Sequence, residues 1–187
     1  AAELEPTNPY WAGRVAWAMG DQGNYEGAIT YARQLVAHFT DSEYVKNTLA
    51  HQLLREADGA LSKHPTNGGY FTNKKQIAHF EQRIAEVEGL RPLQEGAEGA
   101  LADAKGHLAI GKKRRFIWPG VGTFVKYFIA WLVVAVFIAS AFPGFLQFLV
   151  FVGTTGGLGW MLFNKVLPTQ WSINKKALGP LAKTGLQ

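Results

Sequence analysis

Five histidines are the side chains of this 187-residue chain best suited to hold a metal ion or to move a proton near neutral pH. Helical zinc sites commonly use a His-Glu-x-x-His pattern or two histidines one helical turn apart, and neither spacing occurs here. We therefore expect these histidines to lie on the surface or at helix ends, and we expect no metal site. They are His38, His51, His64, His79 and His107.

Neither the acidic residues nor the glycines form a pattern typical of catalysis. Glu86 and Glu88 are close together on one predicted helix, which is most simply a solvated face. The segment "GTTGGLG" at 153–159 lies inside an apolar run with no strand before it, so it does not predict a phosphate-binding loop. The chain has no cysteine, which excludes disulfides, thiolate catalysis and cysteine-ligated metals. We predict a protein that is not an enzyme and that binds no cofactor.

Charge is divided unevenly along the chain. Residues 1–103 hold 14 acidic and nine basic residues, whereas residues 104–187 hold ten basic residues and no acidic one. A nucleic-acid-binding protein would usually carry its basic patch on the folded domain, which here is mildly acidic. We therefore expect no nucleic-acid partner, and we expect the basic half to attract anionic lipid headgroups.

The longest uncharged run, 127–164, most constrains the class of protein. Its 38 residues exceed the roughly 20 of a single membrane span and suit two. Pro143-Gly144 breaks the run near its middle, because proline removes a helix N–H and glycine permits a reversal. We predict two transmembrane helices, at about Val121–Phe142 and Phe145–Asn164, in preference to one kinked helix or a soluble core.

Basic residues flank this run on both sides, which predicts that both flanks stay on the side of synthesis. We expect an integral, two-pass protein with both termini on the cytoplasmic side, or on the matrix or stromal side of an organellar inner membrane. Trp118, Trp160 and Trp171 suit anchoring at the interface. The cations expected to contact lipid headgroups are Lys112, Lys113, Arg114, Arg115 and Lys165.

Small residues recur on both predicted membrane helices, where they would allow close backbone contact. Two interpretations remain open: packing within the hairpin, opposite Ala130 and Val134, or docking onto another membrane protein. The residues expected to make this contact are Ala135, Ala139, Gly153, Gly156 and Gly157.

Helical spacing of apolar residues dominates the rest of the chain, and no strand-like alternation occurs. Asn8 followed by Pro9 predicts the first helix start, and the breaker-rich segment 63–69 predicts a loop. The fold class is therefore all-α, a helical bundle followed by the hairpin. Six side chains are expected in the bundle core, namely Trp11, Tyr25, Tyr31, Leu35, Leu49 and Leu53. The predicted divisions are an extended lead-in at 1–8, a helical soluble domain at 9–110, a basic juxtamembrane segment at 111–120, the transmembrane hairpin at 121–164 and a basic tail at 165–187.

The segment "AWAMGDQGNYEGAITYARQLVAHFTDSEY", at 16–44, resembles a tetratricopeptide repeat. The family pattern places small residues where two helices approach and aromatics in the groove beside them. The family's proline after the second helix is absent, and no second repeat follows at the family's spacing. If the resemblance holds, it implies protein–protein interaction. The matching positions are Gly20, Gly23, Tyr25, Ala28 and Tyr31.

These features favour a non-catalytic, membrane-anchored interaction protein, either a scaffold or an accessory subunit of a multi-protein membrane complex such as a respiratory or ATP-synthase complex. Its expected partners are other subunits of that complex and anionic lipids. The alternative is a membrane-shaping hairpin that wedges into one leaflet, because the turn "SAFPGF" offers only Ser140 to water. The chain begins Ala-Ala, which leaves open whether an initiator Met or a presequence was removed.

Overall fold

The computed structural model describes residues 8–64, 68–117, 120–141 and 144–178, with backbone only at 64, 124, 138–139 and 145–147. Within these residues the chain is all-α apart from one two-stranded β-hairpin, so the predicted fold class is confirmed at that level. In chain order the elements are α1 (Pro9–Asp21), α2 (Tyr25–His38), α3 (Glu43–Gly59), β1 (Ser62–His64), β2 (Gly68–Tyr70), α4 (Lys74–Glu88), α5 (Glu95–Lys112), α6 (Val121–Ala141), α7 (Phe145–Val166) and α8 (Gln170–Leu178).

Two compact units make up the chain. The helical unit comprises residues 1–112 and 171–187, and the hairpin unit comprises residues 113–170. The segment predicted as a basic tail at 165–187 is divided between them. Its first residues complete α7, and α8 from Trp171 onward belongs to the helical unit.

Asparagine side chains start three helices of the helical unit, namely α1, α2 and α4. The Asn8 carboxamide oxygen accepts a hydrogen bond from the Tyr10 N–H at 3.0 Å, with Pro9 as the first helical residue, as predicted. The Asn24 oxygen accepts from the Gly27 N–H at 3.0 Å, which starts α2. Each cap satisfies a backbone donor that has no partner inside the helix.

The core of the helical unit lies where α1, α2 and α3 pack together and where α4 and α5 add to α3. Leu35, Leu49 and Leu53 are buried, as expected, whereas Tyr25 and Tyr31 are only half-buried. The expectation for Trp11 is wrong. That side chain is 36% exposed because α1 turns its small residues inward. The buried residues of α1 are Ala12, Gly13, Ala16 and Gly20.

The segment predicted as a loop at 63–69 instead contains a β-hairpin, in which Ser62 pairs with Tyr70 and His64 pairs with Gly68. Its buried end rests on a polar network. The Ser62 hydroxyl lies 2.6 Å from the Thr72 hydroxyl, and the Gln76 amide donates to the Ser62 oxygen at 3.0 Å. The same amide donates to the Ala60 carbonyl at 3.1 Å, which joins the end of α3 to the start of α4. The strands are too short for an alternation of apolar residues to reveal them.

The hairpin unit consists of α6, α7 and the segments beside them. The two helices lie on either side of the predicted break, where Gly144 has a left-handed φ of 65°. The other half of that break, Pro143, lies outside the described residues.

Among the described residues, no helix combines the length and the apolar content that a membrane crossing requires. This finding contradicts the predicted integral, two-pass localisation, and the orientation argued from the basic flanks is withdrawn with it.

Candidate interaction surface

The hairpin unit exposes large apolar side chains along both of its helices. Phe137 and Trp160 are each 65% exposed, and Val136 is 61% exposed. Contiguous apolar surface of this kind marks a place where another molecule binds. Further exposed side chains of this surface are Val125, Phe128, Ile129, Leu132, Val133, Val134, Phe148, Leu149, Phe151, Val152, Met161 and Phe163.

A groove of about 300 Å³ runs between α6 and α7 on this surface. The Trp131 indole N–H donates to the Thr155 hydroxyl at 3.3 Å, which ties the two helices together beside the groove. The Trp131 ring also meets the Phe151 ring at 5.9 Å in an edge-to-face contact. The groove is lined by Ala130, Trp131, Val134, Thr154, Gly157, Leu158 and Met161.

The predicted small-residue contact is not made inside the hairpin at the glycines. At Gly153, Gly156 and Gly157, an added Cβ would meet no heavy atom within 4 Å beyond the excluded backbone of α7. Ala135 is half-buried, and the side chain of Ala139 lies outside the described residues. No close contact across the hairpin is made at these three glycines, and both interpretations, packing within the hairpin and docking onto a partner, stay predictions.

Backbone hydrogen bonds close the base of the hairpin unit, which we define as the end where residues 113–117 run beside residues 166–170. The Ile117 N–H donates to the Val166 carbonyl at 2.7 Å, and the Gln170 N–H donates to the Lys113 carbonyl at 2.8 Å. Sequence reasoning treated 111–120 only as a basic segment. Since the pairing residues are about 50 positions apart and show no periodic pattern, local sequence carried no signal for this contact.

The predicted headgroup-binding cations separate into two groups. Lys112 belongs to the helical unit and forms an ion pair with Glu81. The other four lie at the base of the hairpin unit, which contains no acidic residue. The Arg114 guanidinium lies 4.7 Å from the centre of the Phe163 ring, and the Lys165 ammonium lies 4.3 Å from the centre of the Tyr127 ring. These cation–π contacts hold two of the charges in place without neutralising them.

The predicted interfacial tryptophans do not share one environment. Trp160 is exposed on α7, whereas Trp171 packs against the core of the helical unit, and Trp118 lies outside the described residues. Nearby on α8, the Asn174 amide donates to the Phe71 carbonyl at 3.2 Å. The expected anchoring role of Trp171 is therefore replaced by a packing role.

The residues of the tetratricopeptide-like pattern lie where α1 meets α2 and α3. Gly20 faces the side chain of Gln52, Gly23 turns the chain with a φ of 82°, and Ala28 is buried. Tyr31 packs against the core from its edge. These placements serve helix packing, and the family resemblance itself stays a prediction.

Charged side chains that looked like solvated faces in the sequence form a network across α2, α3 and α4. Arg33 donates to Glu86 at 2.6 Å, and Arg83 donates both to Glu86 at 3.2 Å and to Glu56 at 2.8 Å. His79 lies 2.9 Å from the same Glu56 carboxylate. Three of these residues, Arg33, Glu56 and Arg83, border a polar groove of about 330 Å³. Only the three-residue step from Arg83 to Glu86 was visible in the sequence.

A second polar cluster surrounds Arg55. Its guanidinium donates to the Asp21 carboxylate at 2.8 Å and lies over the Trp17 and Tyr25 rings. The His51 ring lies tilted against the Trp17 ring, with centroids 5.4 Å apart. Burial, followed by the nearby Arg55 charge, lowers the pKa of this histidine below 6.5. The described residues contain no group of three histidine or acidic side chains that could hold a metal ion.

Comparison with protein-family models, with curated proteins and with solved structures finds no match for this chain.

Proposed function

We propose that this chain is a non-catalytic helical interaction protein, an accessory subunit or scaffold that the α6–α7 surface attaches to a larger multi-protein assembly. The observation that carries the proposal is the exposed apolar surface of the hairpin unit. Side chains such as Phe137 and Trp160 would gain about 1.5–3 kcal/mol each on full burial, which favours association strongly when several are covered together.

The helical unit supports this proposal by its own organisation. Most of its apolar side chains are buried and several of its charges form ion pairs, so it leaves less apolar surface uncovered than the hairpin unit does. We propose that it forms the folded helical body of the attached subunit. If the tetratricopeptide resemblance holds, the α1–α2 pair supplies a second protein-binding surface.

The test replaces Phe137 and Trp160 together by serine. Neither side chain belongs to a buried core, so the chain should keep its abundance and helical content while losing its place in the native assembly. Ile110→Ser is the matched control, since this exposed side chain lies on the helical unit. Native gels, with protein levels measured in parallel, report the outcome. A double variant with normal abundance and normal complex size would contradict the proposal.

The membrane-shaping alternative gives a different result. Purified chain that deforms lipid vesicles by itself, and that migrates alone in native gels, would favour a wedge over an accessory subunit.

A further inference from the structure

The cations of the hairpin unit are concentrated at one end. Lys113, Arg114, Arg115 and Lys165 lie at the base, and Lys126 follows in the second turn of α6. From Tyr127 to Asn164 the chain carries no charge, so the rest of the surface is neutral. The two ends of the apolar surface therefore differ in charge, with five positive charges near the base and none toward the turn.

The shape of the groove also restricts what can bind to this surface. Ala130, Val134, Leu158 and Met161 contribute apolar walls, and Gly157 leaves one wall without a side chain. With 21 and 22 residues, α6 and α7 are each about 30 Å long at 1.5 Å per residue. A concave apolar groove between two helices matches the mode in which a helix of a partner lays its apolar face into a groove. A fluid lipid surface has no fixed ridge to fill such a shape.

We infer that the groove between α6 and α7 receives one helix of a partner protein, apolar over about 20 residues and acidic at the end that lies over the base. This inference rests on the proposed function and names the chemistry of the partner. The apolar ridge supplies most of the affinity. The acidic end pairs with Arg114, Lys165 and their neighbours, and this pairing fixes which way the partner helix runs.

The probe is a pair of synthetic helices of about 20 leucines and alanines, each with one photoreactive diazirine residue at its centre. One carries a short run of glutamates at one end, and the other carries lysines there. Binding to the full chain is measured in a mild non-ionic detergent, and cross-linked residues are mapped by mass spectrometry. We expect the glutamate helix to bind about tenfold more tightly, to weaken in high salt and to cross-link to groove residues.

Two variants separate the groove from the charges. Ala130→Trp fills the groove and should abolish cross-linking there, whereas Val136→Trp, on an exposed position that does not line the groove, should leave it intact. Arg114→Gln with Lys165→Gln should reduce the preference for the glutamate helix while both helices still bind. Circular dichroism of each variant shows whether the fold is retained.

Three results would overturn the inference. The first is equal binding of the two helices, and the second is displacement of the glutamate helix by mixed micelles of phosphatidylserine and the same detergent, which would identify a lipid surface as the occupant. The third is a dimer of the purified chain that Ala130→Trp dissociates, which would identify a second copy. Equal binding of the two helices leaves the proposed function standing, because that function fails only if Phe137→Ser with Trp160→Ser leaves the native complex unchanged.

Discussion

The helical unit and the hairpin unit of this chain differ in the burial of their apolar side chains and in the pairing of their charges. In the helical unit, leucine and phenylalanine side chains such as Leu53 and Phe71 are buried, and arginines such as Arg83 are held between carboxylates. In the hairpin unit, valines and phenylalanines are exposed, and the cations have no carboxylate within their unit. One unit is complete as a folded body, and the other has the composition of one side of an interface.

The largest difference in stability is expected when one leucine is truncated in each unit. Leu53 is 0% exposed, so Leu53→Ala should lower the free energy of unfolding by about 2–5 kcal/mol. Leu132 is 46% exposed on α6, so Leu132→Ala should change it by less than about 0.5 kcal/mol. Denaturant unfolding followed by circular dichroism measures both. Equal losses would mean that the hairpin unit has a core of its own.

A smaller effect is expected at glycines. At Gly20, an added Cβ would clash with the side-chain oxygen of Gln52, which is fully buried. Gly20→Ala should therefore cost about 1–3 kcal/mol of stability. Gly106, inside α5, has no atom within 4 Å of that position, so Gly106→Ala should add about 0.5–1 kcal/mol through helix propensity. Thermal unfolding of the two variants should shift in opposite directions, and a shared direction would refute the packing argument at Gly20.

The smallest expected effect is on the pH dependence of stability, through a buried histidine of the helical unit. Burial lowers the pKa of His51 in the folded state, so the unfolded chain binds the proton more readily. The stability contributed by neutral His51 is present above pH 6.5 and is lost as the pH falls through that unfolded value toward the lower folded one. His51→Gln should flatten the decline in stability between pH 7 and pH 5, measured by denaturant midpoints. An unchanged slope would show that His51 does not titrate differently on folding.

Local sequence was sufficient to predict helix starts and breaks, because these depend on a side chain and the backbone next to it. Asn8 and Pro9 specified the start of α1, and the uncharged run with its break specified α6 and α7 as helices. The prediction from length and hydropathy that those helices cross a membrane was wrong. The sequence also predicted the cations and most of the apolar surface, although it did not show how they would be arranged.

Contacts between distant residues were not accessible in the same way. Arg33 and Glu86 are 53 positions apart, so nothing local indicated their ion pair. The β-hairpin escaped notice because three-residue strands rich in glycine carry no alternation. Trp11 was misplaced because large apolar residues were assumed to face inward, whereas close approach of α1 to its neighbours required the small ones there.

Thiol reactivity tests most directly whether a partner covers the α6–α7 surface in the assembled state. Because the chain has no cysteine, Val136→Cys gives a single thiol at an exposed position of this surface, and Ile110→Cys gives the control on the helical unit. Reaction rates with a thiol reagent are compared between the purified chain and the native assembly. We predict that the thiol at 136 reacts at least about tenfold more slowly in the assembly while the thiol at 110 reacts equally in both, a difference of about 1.4 kcal/mol in protection. Equal rates at 136 in the two states would contradict the account.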